Sequence, residues 1–262
     1  MNCVGMIFFA LALMVEQSRS QDSTIVLHPN GSEDTSMISH HKWVTDLAIG
    51  VGYASLTYLC YRTIDDDIAG FFQRNQTNIA SSAADIGTRL GLGRTQFIGL
   101  AATALYAFPF HKPKMQQTTI IWAGSLIMNS IVTDELKKTF QRHRPETGDP
   151  YNSFDWRKGP RKNLSFPSAH TSNAFTTATV FASMYRDKKW VPPVAYSLAT
   201  LVGISRAYKN AHWASDVMVG AGLGYLSAKS MGAIYRFAGK RIRFLPAVNR
   251  NIYSLNMTYD LP

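Results

Sequence analysis

Four long apolar runs constrain what this chain can become: "WVTDLAIGVGYASLTYLCY", "QFIGLAATALYAFPF", "TTIIWAGSLIMNSIV" and "VPPVAYSLATLVGIS". Segments of this kind must bury their apolar surface against one another. Each is short or marginal for crossing a bilayer, which takes about twenty consecutive apolar residues. Each also carries Ser, Thr, Asn or Asp. Mean hydropathy is −0.09, where a chain built mostly of spans would be clearly positive. The expectation is an all-α domain, soluble or peripheral to a membrane, with these runs as core helices.

Helix signals fill most of the remaining chain. Helices are predicted at Lys42–Tyr61, Gln96–Phe108, Met115–Arg142, Ser168–Arg186, Val191–Tyr208 and Trp213–Phe237, a compact bundle of about six core helices. "TIDDDIAGFFQRNQTN" reads as a turn and a short helix, and "SSAADIGTRLGLGRTQ" as two short amphipathic pieces separated by glycine loop signals. Pro145 ends the helix that carries Lys137, because proline cannot continue the hydrogen-bond ladder. Asp65, Asp66 and Asp67 suggest either a metal site or, more commonly, acidic residues meeting the positive end of a helix dipole. Gly220, Gly222 and Gly224 fit close packing of the last helix. In the tail, Tyr253, Leu255, Met257, Tyr259 and Leu261 alternate with polar residues, a strand-like period that can pair with "RIRFLPAV" in a small hairpin.

The N-terminus speaks to compartment. An apolar stretch from Val4 to Val15 has the length of a signal-peptide core, and Ser18 and Ser20 are small residues suited to cleavage after Ser20. No Lys or Arg precedes the stretch, and the alternative is an uncleaved apolar end packed on the domain. Cleavage would leave Cys60 as the one cysteine and exclude an intramolecular disulfide. The expected organisation is a signal peptide at 1–20, a polar lead-in at 21–41, the helical domain at 42–240 and a tail at 241–262. With 27 Lys and Arg against 17 Asp and Glu, the formal charge of +10 favours anionic partners without choosing among phosphorylated substrates, anionic lipid and nucleic acid.

Three short stretches bear chemistry. In "SRAYKNAHWASD", His212 and Asp216 are four apart and share a face if a helix starts near them. An imidazole that gives one N–H to a carboxylate presents its other nitrogen as a base or nucleophile. Alone, such a pair is ordinarily a surface ion pair. In "KKTFQRHRP", Lys137 and Arg144 are seven apart, close to two helical turns, and would share a face near a helix end. Two such cations suit a phosphate, Arg144 as a fork and Lys137 as a point charge. In "FPSAH", Ser168 is placed to cap the helix that follows, whose first amides can receive an anion.

Together these stretches resemble the type 2 phosphatidic acid phosphatase superfamily, which includes bacterial acid phosphatases, lipid phosphatases and vanadium-dependent haloperoxidases. The pattern K-x6-R-P, P-S-G-H and S-R-x5-H-x3-D reads here as Lys137…Arg144-Pro145, Pro167-Ser168-Ala169-His170 and Ser205-Arg206…His212…Asp216. Ala169 departs from the usual glycine and adds a methyl beside the phosphate cradle. The resemblance implies that His212 attacks phosphorus, Asp216 orients it, and His170 protonates the leaving oxygen and then activates water. It implies that Lys137, Arg144, Ser168, the Ala169 amide and Arg206 bind the phosphoryl oxygens without a metal. Vanadate enters as a cofactor only under the haloperoxidase alternative. A non-catalytic anion-binding envelope protein is a third reading. The implied partner is a phosphorylated small molecule or a lipid phosphate, with peripheral membrane contact and no nucleic acid. The implied location is the periplasm or envelope. In the loop 146–166, Arg157, Lys158, Arg161 and Lys162 would draw in phosphorylated substrate, and Trp156 would pack on an apolar portion of it; a solvated basic loop is the alternative. His143 is read as structural.

Overall fold

The computed structural model describes residues 36–158, 163–249 and 252–259, with side chains placed for 48–158 and 163–237. The expectations for the signal peptide, for 21–35 of the lead-in and for Arg161 and Lys162 lie outside the described residues. Among them, eight α-helices follow in chain order: α1 (Ser36–Thr63), α2 (Asp65–Arg74), α3 (Asn78–Gly91), α4 (Gly93–Ala107), α5 (Pro113–Phe140), α6 (Ala169–Met184), α7 (Val191–Tyr208) and α8 (Ala214–Arg241). The antiparallel strands β1 (Ile242–Asn249) and β2 (Ile252–Tyr259) follow, with Phe244 opposite Met257 and Val248 opposite Tyr253. Among the described residues α1 includes Ser36 onward, so 36–41 of the expected lead-in are helical. The two expected amphipathic pieces are most of α3 and the start of α4, separated at Leu92, whose backbone is extended.

Local chemistry accounts for most of these boundaries. Thr77 caps α3, its Oγ1 accepting from the Ala80 amide at 3.2 Å. Proline occupies the first turns of α5 and α7, where a missing N–H costs nothing. Asp65, Asp66 and Asp67 lie in the first turn of α2. At the other end of α5, Gln141 adopts a left-handed backbone with φ 47°, which stops the helix at Phe140.

Helix α6 is the centre of the bundle, packed against α5, α7 and α8. One face brings Phe175, Ala178 and Ala182 against Tyr196, Ala199 and Val202 of α7 and Ala221 of α8. Another brings Val180 against Ile121 and Trp122 of α5 and Ala228 of α8. Small residues let α6 and α8 meet backbone to backbone. A Cβ on Gly220 would stand 2.6 Å from the Ser168 carbonyl oxygen, and one on Gly224 would collide with the Ser172 carbonyl and come within 2.8 Å of the Thr176 nitrogen. Helix α1 closes the other side of α8, with Cys60 buried beside Ala214 and Met218. Among the described residues no helix is long and apolar enough to cross a membrane. Large apolar side chains nevertheless face outward, including Phe97, Ile98 and Leu105 on α4 and Ile127 and Ile131 on α5.

This contact makes a specific expectation. Gly224→Ala should lower the thermal unfolding midpoint, because its methyl meets fixed backbone; overpacking of this kind costs roughly 1–3 kcal/mol. Gly232→Ala, whose methyl would meet only the Arg236 guanidinium at 3.6 Å, should leave the midpoint unchanged or raise it. Equal midpoints for the two variants would contradict the packing.

Candidate active site

The residues singled out from the sequence converge at one end of the bundle, where α5 and α7 finish and α6 and α8 begin. The Ser168 amide donates to the Asp216 carbonyl at 3.1 Å, tying the first turns of α6 and α8 together. His212 sits just before α8 and is almost wholly buried. Its Nδ1 lies 2.7 Å from the Ser165 carbonyl oxygen. A carbonyl only accepts, so Nδ1 carries the proton and Nε2 presents its lone pair. Burial holds this imidazole near pKa 4, against the upward pull of Asp216.

The expected helical pairing of His212 with Asp216 takes a different form. Helix α8 starts at Ala214, so the two are not on one helical face, and Nδ1 stands 3.9 Å from Asp216 Oδ2. That is ion-pair range and too long for a hydrogen bond. The link runs through Ser165, whose carbonyl takes the His212 proton and whose hydroxyl donates to Asp216 Oδ2 at 2.5 Å. Asp216 Oδ2 also accepts the Trp213 amide at 3.1 Å, and Arg142 binds Oδ1 at 2.5 Å. Burial alone would push this carboxyl up; Arg142, His212 and Ser165 together hold it below the usual range.

The cations come from three elements. Lys137, in the last turn of α5, gives its ammonium to the Leu164 carbonyl at 2.6 Å. Burial lowers its pKa to about 8, with Arg144 and Arg206 adding to the effect and Asp216 opposing it. Arg144 does not share a helical face with Lys137, because α5 has already ended at Phe140; its backbone is extended at φ −88° and ψ 155°. The left-handed turn at Gln141 brings it back, pinned by the Trp213 indole donating to the His143 carbonyl at 2.8 Å. Arg206, near the end of α7, reaches Thr88 of α3 at 3.2 Å. The Nε atoms of Arg144 and Arg206 are buried without an acceptor among the described residues. Glu146 is bonded to Arg144 at 3.0 Å and only partly offsets this charge.

His170, in the first turn of α6, completes the cluster. Burial, then the charges of Arg206, His212, Lys137 and Arg144, hold it near pKa 4. Ser168 stands at the cap position of α6, but its hydroxyl makes no cap and pairs with Thr171 Oγ1 at 2.9 Å. The first amides of α6, including that of Ala169, therefore have no side-chain cap and lie at the positive end of the helix. The arrangement is a lone-pair nitrogen beside three cations and a helix start, chemistry suited to a tetrahedral anion.

Other sequence readings resolve differently. His143 bridges the loop, with Nδ1 2.7 Å from Asp149 and Nε2 3.2 Å from Asp155, and is structural. Arg157, expected to draw in substrate, is bonded to Glu135 at 2.6 Å. Trp156 packs on Phe140 and Phe154. Besides Ser165, two charged residues escaped the sequence reading. Arg142 lay inside the K-x6-R spacing as an unspecified position, and Asp65 was one of three aspartates in a row. Among the described residues no group of His, Cys, Asp and Glu side chains is placed to hold a metal ion.

Comparison with known proteins finds similar sequences and folds. Over 63 residues, 24% of this chain, it is 46% identical to the lipid A 1-phosphatase of Porphyromonas gingivalis, spanning 14% of that protein. Over 118 residues, 40% of this chain, it is 32% identical to phosphatidylglycerophosphatase B of Bacillus subtilis, spanning 54% of it. The chain thus spans about half or less of these relatives. The crystal structure of Aquifex aeolicus LpxE superposes with a TM-score of 0.51 at 22% identity, covering 65% of this chain and 96% of that one. A transmembrane PAP2-type phosphatidylglycerolphosphate phosphatase from Bacillus subtilis gives 0.53 at 20%, covering 71% and 96%. The fold is that of these all-α phosphatases, and residues 118–243 match the family model of the PAP2 superfamily.

Proposed function

We propose that the protein is a phosphatase that hydrolyses lipid phosphate esters through a phosphohistidine on His212, without a metal. The observation that carries this reading is the fixed tautomer of His212 beside Lys137, Arg144 and Arg206. The Nε2 lone pair attacks phosphorus as the ester P–O bond breaks. His170 donates its proton to the leaving oxygen, and the same imidazole then takes a proton from the water that displaces His212 from phosphorus. Burial depresses His170 most and the surrounding cations add to it; a phosphate dianion beside the imidazole opposes the cations' part and raises its pKa toward the acid it must supply. Lys137, Arg144, Arg206 and the first amides of α6 neutralise the transferring oxygens. The same cage would hold vanadate in a haloperoxidase; the phosphatase names of the relatives favour hydrolysis.

An apolar groove of about 510 Å³ between α4, α6 and α7 supports a lipid substrate. Ala174, Ala178, Phe181, Val194, Leu198 and Val202 line much of it. Three of its polar side chains are bonded in series: Trp122 Nε1 donates to Thr177 Oγ1 at 2.9 Å, Thr177 to Gln96, and Gln96 Nε2 to the Leu90 carbonyl at 2.7 Å. Val202 of the groove wall and His170 of the site lie on either side of Gly91, where an added Cβ would stand 2.5 Å from the one and 3.0 Å from the other. The outward apolar side chains of α4 and α5 suit seating at a membrane surface. Export directed by residues 1–20 and an envelope location complete the reading.

Three outcomes test it. Acid-quenched single turnovers in EDTA should trap a phosphoenzyme in the wild type and none in His212→Ala. His170→Ala should slow phosphorylation far more with an alkyl phosphate than with p-nitrophenyl phosphate, whose leaving group needs no proton. Dependence on added zinc or magnesium, or equal losses with both substrates, would sink the scheme.

Lys137 makes the site pH-sensitive. Its depressed pKa means the ammonium loses its charge as pH rises through about 8 rather than at the ordinary lysine value. Inorganic phosphate, measured by calorimetry, should therefore bind progressively more weakly above that pH. Lys137→Arg should remove this alkaline weakening, because a guanidinium stays charged.

The groove gives the third expectation. For the wild type, kcat/KM should rise with alkyl chain length in a series of n-alkyl phosphates. Leu198→Asp, at an exposed groove position, should flatten that rise. An unchanged dependence would place the chain elsewhere.

A further inference from the structure

We propose that Arg142 and Asp65, two residues outside the phosphate cage, are positioning residues that keep Asp216 ionised and aimed at His212. The inference rests on the phosphohistidine reading above. Arg142 is 1% exposed and is bonded at every nitrogen. Its Nη1 donates to Asp216 Oδ1 at 2.5 Å and to Ser215 Oγ at 2.8 Å, its Nη2 to Asp65 Oδ2 at 2.7 Å, and its Nε to the Tyr151 carbonyl at 2.8 Å. Asp65 accepts the Ser215 amide at 2.9 Å and its hydroxyl at 2.5 Å. The rings of Tyr61, Phe154 and Trp213 surround the guanidinium at 5.1 to 5.5 Å. Water has little access, so these charges are screened less than surface ions are.

The second carboxylate is what makes the arrangement more than a structural pair. Arg142 and Asp216 alone would be neutral and would exert little field on His212. Burial pushes the Asp65 carboxyl up and Arg142 and Ser215 oppose that; with Asp65 ionised it offsets the guanidinium, and the cluster carries one net negative charge, with Asp216 Oδ2 3.9 Å from Nδ1. That charge stabilises the cationic imidazole formed when His212 takes the phosphoryl group. Arg142 in turn prevents two buried carboxylates from sharing a proton. The other titratable or charged groups around the cluster are Cys60, Tyr61 and Arg62 of α1, Tyr151 of the loop, Lys137 of α5, and His212. Of these only His212, with the two carboxylates, is of a type that ordinarily titrates on the acid side.

The test is the pH profile of the single-turnover phosphorylation rate on p-nitrophenyl phosphate, read by acid quench. In Arg142→Gln the acid limb should move up by about 1–3 pH units, because Asp216 must now lose a proton that the guanidinium had kept off. Arg142→Lys keeps a cation and should hold the wild-type limb while turning over more slowly, since an ammonium cannot span four acceptors. Adding Asp65→Asn to Arg142→Gln removes the rival carboxylate and should move the limb back down. A structural role would lower stability in all three without moving the limb. If Arg142→Gln does not fold, Asp65→Asn alone decides: the phosphorylation rate should fall roughly fivefold or more at constant KM. A stationary limb in folded Arg142→Gln, no return in the double variant, or a wild-type rate in Asp65→Asn would overturn the assignment. Absence of a phosphoenzyme in the wild type would instead remove the catalytic reading on which it rests.

Discussion

One backbone hydrogen bond, from the Ser168 amide to the Asp216 carbonyl, fixes where everything else must go. It brings the first turns of α6 and α8 together, with their positive ends at one place. Two helix starts with the same sign of dipole repel, and Asp216 lies within the first turn of one of them to offset this. Gly220 and Gly224 make the approach possible by removing the side chains that would hold the two backbones apart. Once these starts meet, His170 and His212 share a pocket, and the ends of α5 and α7 deliver lysine and arginine into it. The cations and the helix starts together leave the pocket short of negative charge.

That imbalance is maintained by layers of decreasing polarity. Innermost are Lys137, Arg144 and Arg206, with few carboxylate partners. Behind His212 lies the buried set of Asp216, Arg142, Asp65 and Ser215, in which almost every lone pair and proton has a partner. Beyond it come Tyr61, Phe154 and Trp213. Buried ions of this kind are costly unless fully bonded, so the set tolerates few changes.

Much of this was legible in the sequence. The apolar runs specified helices, the alternating tail specified a hairpin, and the spacings of His170, Arg206, His212 and Asp216 marked the residues that converge. What the sequence misled on was local backbone. Periodicity placed Lys137 and Arg144 on one helical face and His212 and Asp216 on another, whereas both pairs meet across the end of a helix. Periodicity carries no signal for the left-handed Gln141, since glutamine is not a residue that favours that conformation. Ser165 was invisible as a mediator because it acts partly through its carbonyl. Asp65 could not be told from Asp66 and Asp67, because only the fold, bringing α2 beside α8 some 150 positions later in the chain, turns one of the three inward.

The turn at Gln141 changes what the interval between Lys137 and Arg144 measures. Along a helix an interval is an angle, and one added residue swings everything beyond it by about 100°. Here the first three steps follow the helix and the rest are a strap, clasped to the loop by the His143 amide on the Ser153 carbonyl at 3.0 Å and to α8 through Trp213. A strap obeys reach rather than phase: shortened, it pulls Arg144 out of the pocket; lengthened, it slackens and loses its clasps. The interval behaves as a ruler cut to the distance between the end of one helix and the anion that two helix starts would share.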